Sequence, residues 1–254
     1  MARDGAAFFI FRLFLLNQFL GKVLRPTTSF QGKTVIIAGA SSGLGLEATQ
    51  HVVKLGATKV IMAVRSVAGS EAAKRAVQES TGCDAELSSH ANVKAFAARA
   101  TAQLPRIDAL IENAGIATAE WSLAEDNESM LTINVVSAFL LALLLLPILK
   151  ETAASYNTRP NLTLVTSDMR YTVDFKEKDA PEGIFNSLNN EKKADMANRY
   201  QISKLLEVFL VREMAARRPA DSYPVTTNMT KFGFCDTALG GNEARSMTTL
   251  VNEL

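Results

Sequence analysis

Strand-length apolar runs alternate with helix-length amphipathic runs along most of the chain. "KTVIIAGA" is an unbroken, β-branched apolar run, as a strand buried on both faces of a parallel sheet requires. "SSGLGLEATQHVVKLG" follows as a helix closed by Gly56. "TKVIMAVR" predicts a second buried strand, "GSEAAKRAVQES" and "NVKAFAARATAQL" two helices, and "IDALIENAG" a strand ending in a turn. "MLTINVVSAFLLALLLLPILK" predicts a long helix; its apolar run of about 12 residues is shorter than the roughly 20 that span a bilayer. "NLTLVTSD" then reads as a strand, "RYQISKLLEVFLVREMAARR" as a helix and "PVTTNMTKFGF" as a weaker strand. This alternation predicts an α/β fold with a parallel sheet.

The amino-terminal stretch "AAFFIFRLFLLNQFLGKVL" has a different pattern. Arg12 and Asn17 interrupt it, and it is too short for a confident membrane span. Wound as a helix, it puts Asn17, Gln18, Gly21 and Lys22 on one side and Phe/Leu residues on the other, with Arg12 out of pattern. It reads either as an arm packed on the domain or as an interfacial helix on a membrane. No A-x-A-like cleavage site follows, which argues against a signal peptide. "RPTTSFQGK" is a linker, so residues 1–31 form arm plus linker and residues 32–254 the folded domain. The expected location is the cytoplasm, with peripheral membrane contact under the second reading of the arm.

Composition narrows the function. A chain of 254 residues, 48% of them hydrophobic, can bury a sizeable core. The balance of 27 basic and 26 acidic residues, with no basic stripe, argues against nucleic-acid binding. Cys83 and Cys235 lie far apart without CxxC spacing, which excludes a disulfide framework and favours a reducing compartment. His51 and His90 are the only histidines, so neither a His-based metal site nor a Ser-His-Asp triad is expected. Proton chemistry would fall to other side chains.

Two local patterns offer such chemistry. Tyr200 and Lys204 are four residues apart, on one face of a helix. A nearby ammonium favours a phenolate and makes the phenol a better acid; the plainer alternative is a packed tyrosine beside a surface lysine. Gly39, Gly43 and Gly45, in "GASSGLG", stand between the first strand and the first helix. Glycines there let the backbone approach a pyrophosphate, and the helix start offers free N–H groups. A simple tight turn is the alternative, and the spacing G-x3-G-x-G differs from G-x-G-x-x-G.

Taken in order, that glycine turn, "NAG", an Asn, a Ser and Tyr-x3-Lys resemble the short-chain dehydrogenase/reductase family, from about Lys33 to about Thr237. The nearest flavour is its fungal, retinol-dehydrogenase-like branch, common in secondary metabolism. The resemblance implies a Rossmann-type doubly wound sheet and a nicotinamide cofactor. Gly39, Ser41, Ser42, Gly43, Leu44 and Gly45 match the cofactor turn. Asn113, Ala114 and Gly115 match the turn bordering the adenosine. Asn134 matches the asparagine of the proton relay; the alternative is a buried, helix-kinking asparagine. Ser167 matches the serine that binds the substrate oxygen, with Thr166 as a rival and a backbone-bonding hydroxyl as the alternative. Tyr200 and Lys204 match the acid/base pair and also the groups that hold the nicotinamide ribose, and Thr237 the threonine that touches the nicotinamide amide. The second strand ends in Arg65 rather than the acidic residue that grips a ribose 2′-OH. An arginine fork suits a 2′-phosphate, so NADP(H) is preferred to NAD(H); an exposed strand-end arginine is the alternative. The implied reaction interconverts a ketone or aldehyde and an alcohol on a small lipophilic molecule. Relatives often pair through the two long helices, so a homo-oligomer is expected.

Other features depart from the family. Only "TGCDAELSSH" occupies the place of a third strand, with Glu86 where an aspartate would contact adenine, so that strand is expected to be shortened. The Pro-Gly after the sixth strand is Phe232-Gly233, "NNAG" is "ENAG", and the family's last helix and strand are expected to be missing. The 32 residues between Ser167 and Tyr200 exceed the family's usual gap and predict a flap, with Phe175, Ile184 and Phe185 facing substrate or core. The shortened third strand and the missing last elements favour a second reading, a degenerate, catalytically inactive relative that binds a partner or cofactor; the intact Asn134, Ser167, Tyr200 and Lys204 favour the enzyme.

Overall fold

The computed structural model of the chain describes residues 25–64, 87–218, 222–233, 235, 237 and 239, and the backbone of 80–84. Its centre is β1 (Thr34–Ala38), whose five residues are all buried, as its unbroken apolar run requires. After it come α1 (Gly43–Lys54), β2 (Lys59–Val64), β3 (Ser80–Asp84), α2 (His90–Gln103) and β4 (Ala109–Glu112). A two-strand antiparallel hairpin, β5 (Leu123–Ala124) and β6 (Asn127–Glu128), leads to a π-helical segment, Leu131–Ser137, and then α3 (Ala138–Tyr156). β7 (Asn161–Val165) is followed by short turns and α4 (Ile184–Leu188), then α5 (Met196–Arg217) and β8 (Thr226–Thr230).

The six long strands form one parallel sheet in the order β3-β2-β1-β4-β7-β8. The order reverses between β1 and β4, so a crevice opens at their carboxyl ends. One sheet face packs on α2, α3 and α5 through Ile36, Leu110, Leu162, Phe96, Leu145 and Val211. The other carries Val35, Ile37, Val60 and Met62 against α1. Asp108 ties the sheet's amino-terminal end: its Oδ2 accepts from Thr34 N at 2.9 Å and from Arg106 Nε at 2.8 Å.

α3 with the preceding π segment, Leu131–Tyr156, is long and apolar enough to cross a membrane, but 67% of its apolar window is buried in the domain. Leu141, Leu145 and Leu149 line its buried face, so it is a core helix. Phe30 packs beside the α1 cluster, and its N–H donates to Leu55 O at 2.9 Å, anchoring the end of the linker.

The third strand corrects the sequence reading. Ser80 was expected to end a helix, with little room for a strand beyond it. Instead β3 starts at Ser80 and pairs with β2 over five residues, Val60 opposite Ser80 through Val64 opposite Asp84. Ser, Thr, Gly, Cys and Asp make a run of weak strand preference; the exposed edge of β2 supplies the partner that decides it. Among the described residues, β8 forms the opposite edge of the sheet. The first 24 residues of the arm, Arg65, Glu86 and the rest of the helix expected before Ser80 lie outside the described residues.

Candidate active site

The glycine turn follows β1 directly, at the carboxyl edge of the sheet. Gly39 has φ +71, and a Cβ there would lie 2.7 Å from Ala114 Cα. A Cβ on Gly45 would lie 2.2 Å from Gly39 O and 2.6 Å from Asn113 Nδ2. Only glycine permits this packing. Asn113, just past β4, donates from Nδ2 to Gly39 O at 3.1 Å and so ties the two turns together.

α1 starts with Ser42 in extended conformation, without a side-chain cap and without an acidic residue in its first turn. Its leading N–H groups are left to an anion. Ser41 and Ser42 are exposed, while Leu44 is half-buried. Thr237 reaches across from beyond β8, and its Cγ2 lies 3.3 Å from where a Gly43 Cβ would be. Gly233, before it, has φ +73, so the glycine of the departed Pro-Gly pair still serves the turn. These features fit a dinucleotide: the cradle would be filled by any side chain, and the free N–H groups would suit a pyrophosphate.

Asn134 sits fully buried in the π-helical segment. Its Oδ1 accepts from Ile116 N at 2.8 Å, and its Nδ2 donates to Ile116 O at 3.0 Å and to Ser203 Oγ at 3.0 Å. It therefore clamps the segment after "NAG" and links it to α5, where Ser203 Oγ donates to Tyr200 O at 2.7 Å. A π-bulge of this kind commonly marks a functional position.

Tyr200 and Lys204 share the α5 face as their spacing predicts, with Lys204 Nζ 5.8 Å from the centre of the tyrosine ring. Lys204 is buried, and Gly115 faces it: a Cβ there would lie 3.8 Å from Nζ and 3.3 Å from Asn134 Oδ1. Ser167 lies two residues past β7 and is half-buried, its Oγ accepting from Met169 N at 3.2 Å. That contact uses a lone pair and leaves the O–H to donate. The rival Thr166 is buried and turned to α5, where its Oγ1 donates to Lys204 O at 3.3 Å.

The flap between Ser167 and Tyr200 lies on α5 and the π segment. Phe175 and Leu188 join Leu131, Val135, Ile202 and Leu206 in one cluster, with Ile184 packed beside it, while Phe185 is exposed. Phe175 and Ile184 thus serve the core.

Two acidic groups escaped the sequence reading. Lys204 Nζ donates to Glu207 Oε1 at 2.7 Å and to Val165 O at 3.0 Å. Burial, only partly countered by Lys204, pushes the Glu207 carboxyl up to about 7. Glu112, the first residue of "ENAG", is fully desolvated; burial first and Glu207 second hold its carboxyl well above the ordinary carboxylate range. The altered "ENAG" was a visible signal, but its partner lies far along the chain. Also unforeseen was Glu128, which accepts from Met130 N at 2.9 Å and Leu131 N at 3.2 Å and faces the buried Arg199 at 3.8 Å. It holds the start of the π segment and the entry to the Tyr200 helix.

Comparison with known proteins agrees with this geometry. The short chain dehydrogenase profile matches residues 33–155. The chain is 43% identical over 238 residues to the short chain dehydrogenase/reductase dmxR8 of Cryptosporiopsis sp. (strain 8999), covering 89% of this chain and 74% of that one. It is 38% identical over 236 residues to the short chain dehydrogenase atnD of Emericella nidulans, with coverage of 89% and 74%. Among solved structures, Pseudomonas aeruginosa RhlG in complex with NADP superposes with a TM-score of 0.64 at 20% identity, covering 89% of this chain and 80% of that one. The 3-ketoacyl-(acyl-carrier-protein) reductase of Brucella melitensis, with NADH, gives 0.63 at 22%, covering 83% and 79%. The solved structures share the fold, and by its sequence the chain belongs to the short-chain dehydrogenase/reductase family, a family of oxidoreductases.

Proposed function

We propose that this oxidoreductase uses NADP(H) to interconvert a ketone or aldehyde and an alcohol on a small lipophilic molecule in secondary metabolism. The observation that carries the reading is the meeting of Tyr200, Lys204 and Gly115 at the carboxyl edge of the sheet, beside a glycine turn with uncapped helix N–H groups. A bound nicotinamide would supply or accept the hydride, which no side chain can do. The turn from Gly39 to Gly45 would hold the pyrophosphate, with Asn113, Ala114, Gly115, Lys204 and Thr237 around the rest of the dinucleotide.

A carbonyl oxygen gains negative charge as it is reduced. Ser167 donates a hydrogen bond to that oxygen, and Tyr200 transfers its phenolic proton to it. The resulting phenolate is stabilised by the Lys204 ammonium; in the oxidative direction Tyr200 takes the proton back. Asn134 keeps the Ile116 backbone in register with α5, so the groups that surround the reacting atoms stay fixed. Tyr171 and Phe232, exposed just beyond the carboxyl ends of β7 and β8, support an apolar substrate. NADP(H) rests on Arg65 in the sequence, and the metabolic setting on the resemblance to the fungal branch.

Fluorescence titration with NADPH and NADH tests the reading. NADPH is expected to bind more tightly; absence of binding by both overturns it. Tyr200→Phe is expected to lower turnover by roughly 100-fold or more while cofactor binding stays largely intact. An unchanged rate would refute the acid/base role.

A further inference from the structure

Behind the tyrosine–lysine pair, three buried carboxylate oxygens have no hydrogen-bond partner: both of Glu112 and Oε2 of Glu207. They come from different elements, the end of β4 and the α5 turn after Lys204. The Lys204 and Glu207 side chains are only 6% and 4% exposed, and their contact is 2.7 Å. An ammonium has three N–H groups. Glu207 and Val165 O take two of them, and Gly115, having no side chain, leaves space beside Nζ.

Glu112 stands opposite Leu164 in the β4–β7 register, one residue before Val165, whose carbonyl accepts from Lys204, so its buried carboxyl and that of Glu207 answer to one adjacent cation, against which both cannot ionise in a dry site. The groups that bear on Glu207 are Lys204 on its own helix, Glu112 from β4, the Thr166 hydroxyl beyond β7 and the Arg170 guanidinium from the following turn. Arg170 is engaged elsewhere, donating to Ser167 O at 2.6 Å and lying 3.7 Å from Asp168. Lys204 is therefore the direct counter-charge of the pair.

We propose that Glu207 is a positioning residue for Lys204, and that Glu207 and Glu112 form a coupled acid pair whose first ionisation cancels the lysine's charge on the active site. This rests on the oxidoreductase reading above. With both acids neutral, Lys204 presents an unscreened positive charge to Tyr200 and to an anionic dinucleotide. Once the first proton leaves, the cluster is neutral, and the pull on the dinucleotide weakens. The two protons leave in steps that belong to the pair. Burial places the Glu207 carboxyl at about 7, and the charge it gains holds the Glu112 proton more firmly.

Two measurements test this separately. Glutamate-carboxyl 13C NMR on the cofactor-free protein is expected to show one carbon titrating near neutral pH. That signal should be absent from Glu207→Gln and shifted in Glu112→Gln. If every wild-type glutamate titrates in the ordinary carboxylate range, the proposal is overturned, even should both variants fail to fold. NADPH fluorescence titrations between pH 6 and pH 8 form the second arm. Wild-type affinity is expected to fall about threefold more than that of Glu207→Gln, the order expected for one partly screened charge near the dinucleotide phosphates. Comparing two proteins cancels the ligand's own ionisation, and equal pH dependence in both overturns the link to the active site. A titrating glutamate in a protein that binds no dinucleotide would sink the oxidoreductase reading and uphold the acid pair.

Discussion

Gly45→Ala isolates the glycine cradle, because it adds one methyl group where backbone conformation is not at issue. Alanine is the better helix former by roughly 1 kcal/mol, so on an open helix the change would stabilise. Here the new Cβ would stand 2.2 Å from Gly39 O and 2.6 Å from Asn113 Nδ2. The first contact is with backbone and cannot be relieved by a rotamer. The turn must open by more than an ångström, and the 3.1 Å bond from Asn113 to Gly39 O is lost with it. Overpacking costs roughly 1–3 kcal/mol and the hydrogen bond roughly 0.5–1.5 kcal/mol. Set against the helix gain, the net loss is about 1–3 kcal/mol. At roughly 2–4 °C per kcal/mol for a domain of this size, Tm should fall by about 3–10 °C. NADPH affinity should fall by about tenfold or more, since the splayed turn is the phosphate cradle. Gly56→Ala is the control: its φ of +84 makes it costly, by roughly 1–2 kcal/mol, but it meets nothing within 4 Å and should leave affinity unchanged. In an Asn113→Ala background one of the two clashes disappears, so the Gly45→Ala penalty should shrink without vanishing. A Gly45→Ala protein with wild-type Tm and wild-type NADPH affinity would refute the cradle geometry.

Other expectations are open to direct measurement. Glu128→Ala removes the acceptor for Met130 and Leu131 N–H and strands Arg199, which is 1% exposed; thermal unfolding should show a loss of roughly 3–5 kcal/mol, and a loss under 1 kcal/mol would contradict the buried pairing. Asn134→Ala unfastens Ile116 from Ser203 and should raise amide exchange at 113–118 while cutting turnover by about tenfold or more; unchanged exchange would show that the clamp carries no constraint. The raised Glu207 carboxyl gives stability a pH dependence. The folded protein keeps a proton that the unfolded chain releases near 4.5. The resulting stabilisation is full below that value and is lost as pH rises to about 7, on the order of 3 kcal/mol in all. Glu207→Gln should lessen the fall of Tm with pH across that window, the remainder coming from the likewise raised Glu112, and parallel wild-type and variant curves would refute it.

Features set by neighbours in sequence could be read from it. The glycine turn, the "NAG" turn and the Tyr200–Lys204 spacing are local geometry, and each strand of the β1, β2, β4 and β7 series announced itself as an apolar run. β3 did not, because Ser80–Asp84 has little strand preference of its own and forms by pairing with β2. The flap's Phe175 was ambiguous for a similar reason: nothing local says whether an aromatic side chain meets a ligand or the cluster of Leu131 and Leu206. Glu112 and Glu207 are brought together only when β4, β7 and α5 are assembled. The lysine looked like half of a two-residue device, and the fold gives it a third member from behind.

The π-helical segment before α3 has a mechanical consequence. A surplus residue in one turn offsets everything upstream by about 100° relative to the helix that follows. Asn134 can therefore look toward Ile116 while Leu141 and Leu145 look toward the sheet, although they belong to one continuous coil. Excising a single residue between Leu131 and Ser137 would iron the coil straight and swing the carboxamide out of register, with the leucine anchor untouched.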